Sequence, residues 1–153
     1  MSLEISLEIL VAQPTEIDEI SDYEQKRLKD SFPDENERVF QSWHAPCRRE
    51  ALQYYLPSGW CYIARKEGFL MGYFLAQPLL FFDSQTQSLW VEHIQYSSLQ
   101  TRDELCQLAY RIARDKNFQR VYFPNSKVIL NAISSFKPEE WGPQALMIKT
   151  TKT

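Results

Sequence analysis

Glu92 and His93 are neighbours in Ser88 to Tyr96, an apolar and β-branched run that reads as a strand. A carboxylate and an imidazole are the groups that take a proton from an attacking nucleophile near neutral pH. Side chains alternate across a strand, so the pair is expected to point to opposite faces, one toward a site and the other toward the opposite layer. The three cysteines, Cys47, Cys61 and Cys106, are odd in number and lack CxxC pairing, which fits neither a disulfide framework nor a zinc site. Cys61 falls in a strand pattern and Cys106 in a helix pattern, where a thiol behaves as a small hydrophobe. No sequence feature places a histidine beside any of them, and no metal-ligand spacing is present.

The elements that must position these groups fit one domain spanning residues 1–153. A composition 44% hydrophobic and 24% charged is that of a folding chain and not of a disordered one. The net charge of −3 gives no positive field to hold a phosphate backbone, and the densest basic stretch, Arg48-Arg49, is answered by Glu50, so nucleic acid is not an expected partner. No run approaches the ~20 apolar residues of a membrane span, and Met1 to Leu10 has no signal-peptide character. With unpaired cysteines, this makes a cytoplasmic setting the expectation.

Ile5 to Val11 reads as a first strand closed by Pro14, and a first amphipathic helix follows, with Ile17, Ile20 and Leu28 on one stripe and Pro33 at its end. Asp34 to Pro46 reads as a short helix or loop, and Cys47 to Leu56 as a helix stopped by Pro57-Ser58-Gly59. Trp60 to Arg65 and Phe69 to Leu80 form an antiparallel hairpin, with Pro78 marking a bend or an edge. After Asp83-Ser84-Gln85-Thr86 comes the strand Ser88 to Tyr96. Thr101-Arg102-Asp103-Glu104 then matches a capping box, with Leu105, Leu108, Ala109, Ile112 and Ala113 on the inner stripe of a helix ending near Asn117. Phe118 to Phe123 is a strand parallel to Ser88–Tyr96, Ser126 to Phe136 a short helix blocked by Pro138, and Ala145 to Lys149 a last strand. The expected fold is a mixed α/β sheet of about six strands with helices on both faces.

This order resembles that of the GNAT acetyltransferase superfamily over nearly the whole chain. The most similar part is Trp90-Val91-Glu92-His93-Ile94-Gln95-Tyr96 leading into the helix at Thr101, followed by Phe118-Gln119-Arg120-Val121-Tyr122-Phe123 and Asn125. The resemblance implies a GNAT-like acyl-CoA N-acyltransferase fold, with acetyl-CoA or another acyl-CoA as the acyl donor and an amine as acceptor. In that family the first of these two strands splays from the second. The pantetheine arm of coenzyme A bonds the exposed backbone there, which points to Ile94, Gln95 and Tyr96. The pyrophosphate would sit at the following helix N-terminus, whose unpaired N–H groups and dipole favour an anion.

The sequence departs from the family at two places. The pyrophosphate turn, roughly Gln/Arg-x-x-Gly-x-Gly/Ala in the family, reads Ser97-Ser98-Leu99-Gln100-Thr101-Arg102 here and has no glycine to bring backbone close to a phosphate. Either the Ser97, Ser98 and Thr101 hydroxyls with the Arg102 guanidinium make a different anion site, or the site is lost. Thr101 also has a full explanation as a helix cap. The tyrosine that would protonate the thiolate is absent from Ser126 to Phe136, and Tyr122 reads as core-lining.

Glu92 is the expected general base, since the family often has an acid on this strand. Asn125 is placed either to contact the cofactor or to serve as a turn residue. Two functions stay open: an acetyl-CoA-dependent N-acetyltransferase for a small-molecule or peptide amine, with specificity from Asp34 to Ser58, and a catalytically inactive binding or interaction module of the same fold. For the second, Trp60, Tyr62, Tyr73 and Trp90 are the candidate contacts. An aromatic content of 14% makes a homodimer plausible.

Overall fold

The computed structural model describes residues 6–142 and 145–150, with His44 described by its backbone alone. Ile5, expected to open the first strand, lies outside the described residues. Five strands form one sheet in the order β1-β2-β3-β4-β5: Glu8–Val11, Tyr62–Lys66, Phe69–Phe82, Gln85–Tyr96 and Arg120–Tyr122. The first four pair antiparallel, and β4 pairs parallel with β5. The helices are α1 (Ile17–Ser31), α2 (Glu35–His44), α3 (Arg49–Tyr55), α4 (Leu99–Asp115) and α5 (Lys127–Ile133). This is the mixed α/β architecture expected, with one difference. The expected last strand is not formed: residues 145–149 pair with nothing, and Leu146 and Ile148 stand exposed.

The long hairpin β3–β4 is the spine. Gly68 at φ 81° and Glu67 at φ 53° make the tight turn into it, a twist that suits two antiparallel strands. Pro78 pairs opposite Leu89 where β3 has outrun β2, so its missing N–H breaks no bond on that open side. Phe32 adopts an extended conformation, φ −130° and ψ 90°, ahead of Pro33 and ends α1.

Each sheet face has its own core. Phe74, Ala76, Leu89, Val91 and Ile94 pack against Leu105, Cys106, Ala109 and Ala113 of α4 and Ile129 and Ile133 of α5. On the other face Ile63, Tyr73 and Leu75 meet Ile20 of α1 and Leu52 and Tyr55 of α3. Burial of each such large apolar side chain contributes about 1.5–3 kcal/mol.

A register change in β4 decides where its polar side chains point. Leu75 pairs with His93 and the next residue, Ala76, pairs with Val91, so Glu92 has no partner on β3 and forms a β-bulge. Val91 and Ile94, three residues apart, therefore face the same core. The start of α4 also differs from expectation. Ser98, not Thr101, is the N-cap, its Oγ accepting from Thr101 N–H at 3.2 Å. Thr101 is instead fully buried in the first turn, its methyl lying where Gly72 leaves room: a Cβ at Gly72 would come within 2.9 Å of Thr101 Cγ2 and 2.5 Å of the Gln95 carbonyl oxygen.

Candidate active site

The parallel pairing of β4 and β5 covers only Ser88–Arg120, Leu89–Val121 and Trp90–Tyr122. β5 stops at Tyr122 while β4 continues to Tyr96. Beyond Trp90 the two chains part, and the backbone of residues 91–96 has a strand on its β3 side only. Ile94, Gln95 and Tyr96 are on this open edge, with the Ile94 side chain turned into the α4 core. After Ser97 and Ser98 α4 begins, so its first N–H groups, those of Leu99 and Gln100, stand at the mouth of the opening with no carbonyl in their own helix to bond.

The side chains expected to supplement those donors are already engaged. Ser97 Oγ is 2.7 Å from the Tyr23 hydroxyl, and Ser97 N–H donates to the Met71 carbonyl at 2.8 Å. Ser98 Oγ and Thr101 Oγ1 bond each other at 2.9 Å, and Thr101 is shut off from solvent. The Arg102 guanidinium is paired with Asp103 at 2.8 Å and is only 12% exposed. Of the two alternatives for this turn, the hydroxyls and guanidinium that would make the different anion site each have a partner within the protein, while the first backbone N–H groups of α4 have none in their own helix. Asn125 is exposed in the loop after β5, directly before Ser126, whose Oγ caps α5 by accepting from Ile129 N–H at 3.2 Å.

The bulge overturns the expected division of Glu92 and His93. Both lie on the α1/α3 face of the sheet. The Glu92 carboxylate accepts from Trp90 Nε1, and its charge reaches Tyr55 of α3. Burial first, and the Glu92 charge second, push the Tyr55 hydroxyl up to about 12. The His93 ring lies 5.7 Å from that of Tyr73, on the same face. Tyr122, as expected, lines a core: it is 8% exposed among Trp90, Phe82 and Trp141, with its hydroxyl accepting from Arg120 at 3.1 Å.

Next to His93 is a polar cluster that no motif in the sequence announces. Glu24 of α1 is 3% exposed; its Oε1 accepts from the Tyr73 hydroxyl at 2.6 Å and its Oε2 from Arg27 Nε at 2.8 Å. His93 Nε2 lies 3.9 Å from Glu24 Oε1, too far for a hydrogen bond, and is buried with no partner. Burial alone would raise the Glu24 carboxyl, but the hydrogen bonds from the Tyr73 hydroxyl and the Arg27 guanidinium, with the Arg27 charge, outweigh it and hold it below its ordinary value. Cys47, in the turn between α2 and α3, completes the cluster. Its thiol is pushed up to about 11, by burial and then by the Glu24 charge. A cleft of about 600 Å³ opens onto Glu24 and Cys47 between α1 and the α2–α3 segment, with Gln25, Trp43 and Arg48 on its walls. A signal for Glu24 was present in the sequence, since it falls four residues after Ile20 and four before Leu28, in the middle of the buried stripe of α1.

The other two thiols are buried as well; burial pushes Cys61 up to about 11 and Cys106 up to about 12, so both behave as core residues. Of the aromatic residues suggested as partner contacts, Tyr73 is fully buried, and Trp60, Tyr62 and Trp90 are half-buried, with Trp60 against Phe118 and Tyr62 against Phe74. Trp60 and Tyr62 pack against the α4-side core and Tyr73 lies in the α1/α3-side core, while Trp60, Tyr62 and Trp90 each keep part of their surface exposed. No helix of the described residues is long and apolar enough to cross a membrane.

No family model matches the chain, and no curated protein matches it. Solved structures do match along its whole length. A probable acetyltransferase superposes with a TM-score of 0.68 at 17% identity, covering 94% of this chain and 99% of its own. A predicted acetyltransferase from Clostridium acetobutylicum, solved with acetyl-CoA, gives 0.64 at 11% identity over 94% and 96%. An aminoglycoside acetyltransferase from an uncultured soil metagenomic sample gives 0.62 at 17% over 99% and 100%. At these identities the likeness is one of fold, and the fold this chain shares with them is that of the GNAT-like acetyltransferases.

Proposed function

We propose that the protein transfers an acyl group from an acyl-coenzyme A, acetyl-CoA in the simplest case, to an amine on a small molecule or peptide. The observation that carries this reading is the parting of β4 from β5 after a three-residue parallel pairing, which leaves an open backbone edge leading to the N-terminus of α4. An extended pantetheine arm can hydrogen-bond that edge as a strand would, and the pyrophosphate is suited to the unpaired N–H groups of Leu99 and Gln100. Glu92, held by Trp90 beside the opening, takes the proton from the amine. The amine nitrogen bonds to the thioester carbonyl carbon, the carbon–sulfur bond breaks, and the thiolate of coenzyme A departs. Holding the two reactants together supplies most of the rate. The α2–α3 segment, which walls the cleft beside α1, supports a role in choosing the amine.

A second reading, a non-catalytic module of the same fold, is favoured by one observation: Ser97, Ser98, Thr101 and Arg102 are all bonded within the protein. The substitution Leu99→Pro separates the two. Leu99 is the first residue of α4 and is 63% exposed, and Ser98 before it is already extended, at φ −144° and ψ 159°. Proline is tolerated there and deletes one N–H. Calorimetric titration should show acetyl-CoA bound, and bound about 10–100-fold more weakly by Leu99→Pro, the worth of one hydrogen bond to a charged group. Glu92→Gln should bind normally and lose about 10²–10⁴-fold in amine acetylation, followed by thiol release. No binding of acetyl-CoA or free coenzyme A at millimolar concentration would leave the module as the reading.

A further inference from the structure

We propose that Glu24, Cys47 and His93 form a binding site for a zinc ion, with its fourth position open to the cleft between α1 and the α2–α3 segment. The three residues come from α1, from the turn before α3 and from β4, and their donor atoms all lie within 4.8 Å of one another. Zinc bonds of about 2.0–2.3 Å at tetrahedral angles set such atoms about 3.3–3.7 Å apart. Small side-chain rotations therefore close the set; Glu24 and His93 are at 3.9 Å already.

The state of each donor points the same way. His93 Nε2 is buried with no hydrogen-bond partner, which is costly for an imidazole nitrogen unless something fills the gap. Zinc takes that lone pair. The Tyr73 hydroxyl, 2.6 Å from Glu24 Oε1, and Arg27 on Oε2 fix the carboxylate from outside, as outer-shell groups around metal ligands do. A carboxylate and a thiolate together balance the two charges of the ion. Zinc binding forms the zinc–sulfur bond and releases the thiol proton of Cys47 to solvent, with no change of oxidation state. One carboxylate, one imidazole and one sulfur suit zinc over calcium or magnesium, which prefer oxygen alone. Three protein ligands beside a cleft of about 600 Å³ leave room for a water or a small ligand on the metal. Cysteine spacing gave no sign of this, because the donors are brought together only by the fold.

The experiment uses the untagged full chain, stripped with chelator and dialysed. Titration of zinc against a chromogenic chelator should show about one ion bound per chain. Replacing zinc by cobalt should give a near-ultraviolet thiolate charge-transfer band and the intense visible bands of a tetrahedral site. Cys47→Ser should abolish the charge-transfer band with circular dichroism unchanged, Cys61→Ser and Cys106→Ser should keep it, and Tyr73→Phe should weaken zinc binding by about 10–100-fold. Zinc should also slow alkylation of Cys47 in the unmutated protein, read by mass spectrometry, so the proposal does not depend on the variants folding. Absence of stoichiometric uptake, a cobalt spectrum without a thiolate band, a band that survives Cys47→Ser, or alkylation of Cys47 at an unchanged rate with zinc overturns it.

Discussion

The two faces of the sheet are built from different chemistry. Against α4 and α5 the buried core is apolar or thiol, from Phe74 and Ile94 to Leu105 and Ile133, with the Thr101 hydroxyl at its margin bonded to the Ser98 cap. Against α1 and α3 the core surrounds a buried carboxylate, a tyrosine hydroxyl and an imidazole, and both titratable residues of the β4 bulge face that way. A uniform apolar face fixes where the sheet and α4 sit; the mixed face places charge and proton-transfer groups at defined positions. Stability and chemistry are thus divided between layers, and substitutions on the two sides should behave differently. The largest effect belongs to the apolar face. Phe74, fully buried, pairs with Tyr62 and Ile94 on its two neighbouring strands, and its ring lies 5.6 Å from that of Tyr62. Phe74→Ala should cost about 3–5 kcal/mol in urea unfolding, with a loss that is the same at pH 7 and at pH 4.

On the mixed face the expected loss is smaller and depends on pH. The Glu24 carboxyl ordinarily titrates at 4.5 and is held at about 2 in the folded protein. Its folded-state value is depressed, so the stability it contributes is complete above pH 4.5 and is lost as the pH falls toward about 2. The amount is about 3 kcal/mol. Glu24→Gln should lack this part of the acid transition, and the difference between the two stability–pH curves, measured on metal-free protein by denaturant titration from pH 6 down to pH 2.5, isolates it. Coincident curves would mean that Tyr73 and Arg27 do not stabilise the charged form, and the contrast between the faces would then be one of composition alone.

Local pattern made the apolar face legible, and the mixed face much less so. The stripe Leu105, Ala109 and Ala113 on α4 and the pair Ile129 and Ile133 on α5 repeat at helical spacing, and all five are buried. The parallel β4–β5 pair followed from the strand–helix–strand order. The bulge did not follow from alternation, because one extra residue in a strand changes register without changing composition. Its trace is that Leu89 and Val91 are two apart and Val91 and Ile94 three apart, yet all three face one core. Glu24 was hidden for a different reason: a charge inside an apolar stripe reads as an interruption until its partners, which lie 3 and 49 positions away, are in place. The strand expected at 145–149 does not form: among the described residues these positions make no ladder, and strand propensity in an apolar run does not by itself seat it on a sheet edge.

The smallest effect tests where the apolar face hands over to the open edge. Two residues competed to cap α4. Thr101 heads the better sequence pattern, with Glu104 three residues on, but its methyl is drawn against Gly72 and its side chain is fully buried. A side chain so placed cannot also sit outside the helix as a cap, and Ser98 takes that role. A cap has a recognisable response: alanine in place of serine costs about 1 kcal/mol, while glycine costs only a few tenths. Ser98→Ala and Ser98→Gly should follow that order in thermal unfolding, whereas a serine that merely packed would lose about the same with either. Equal losses would place the cap elsewhere, and with it the first free N–H groups on which the proposed anion site at the mouth of the opening depends.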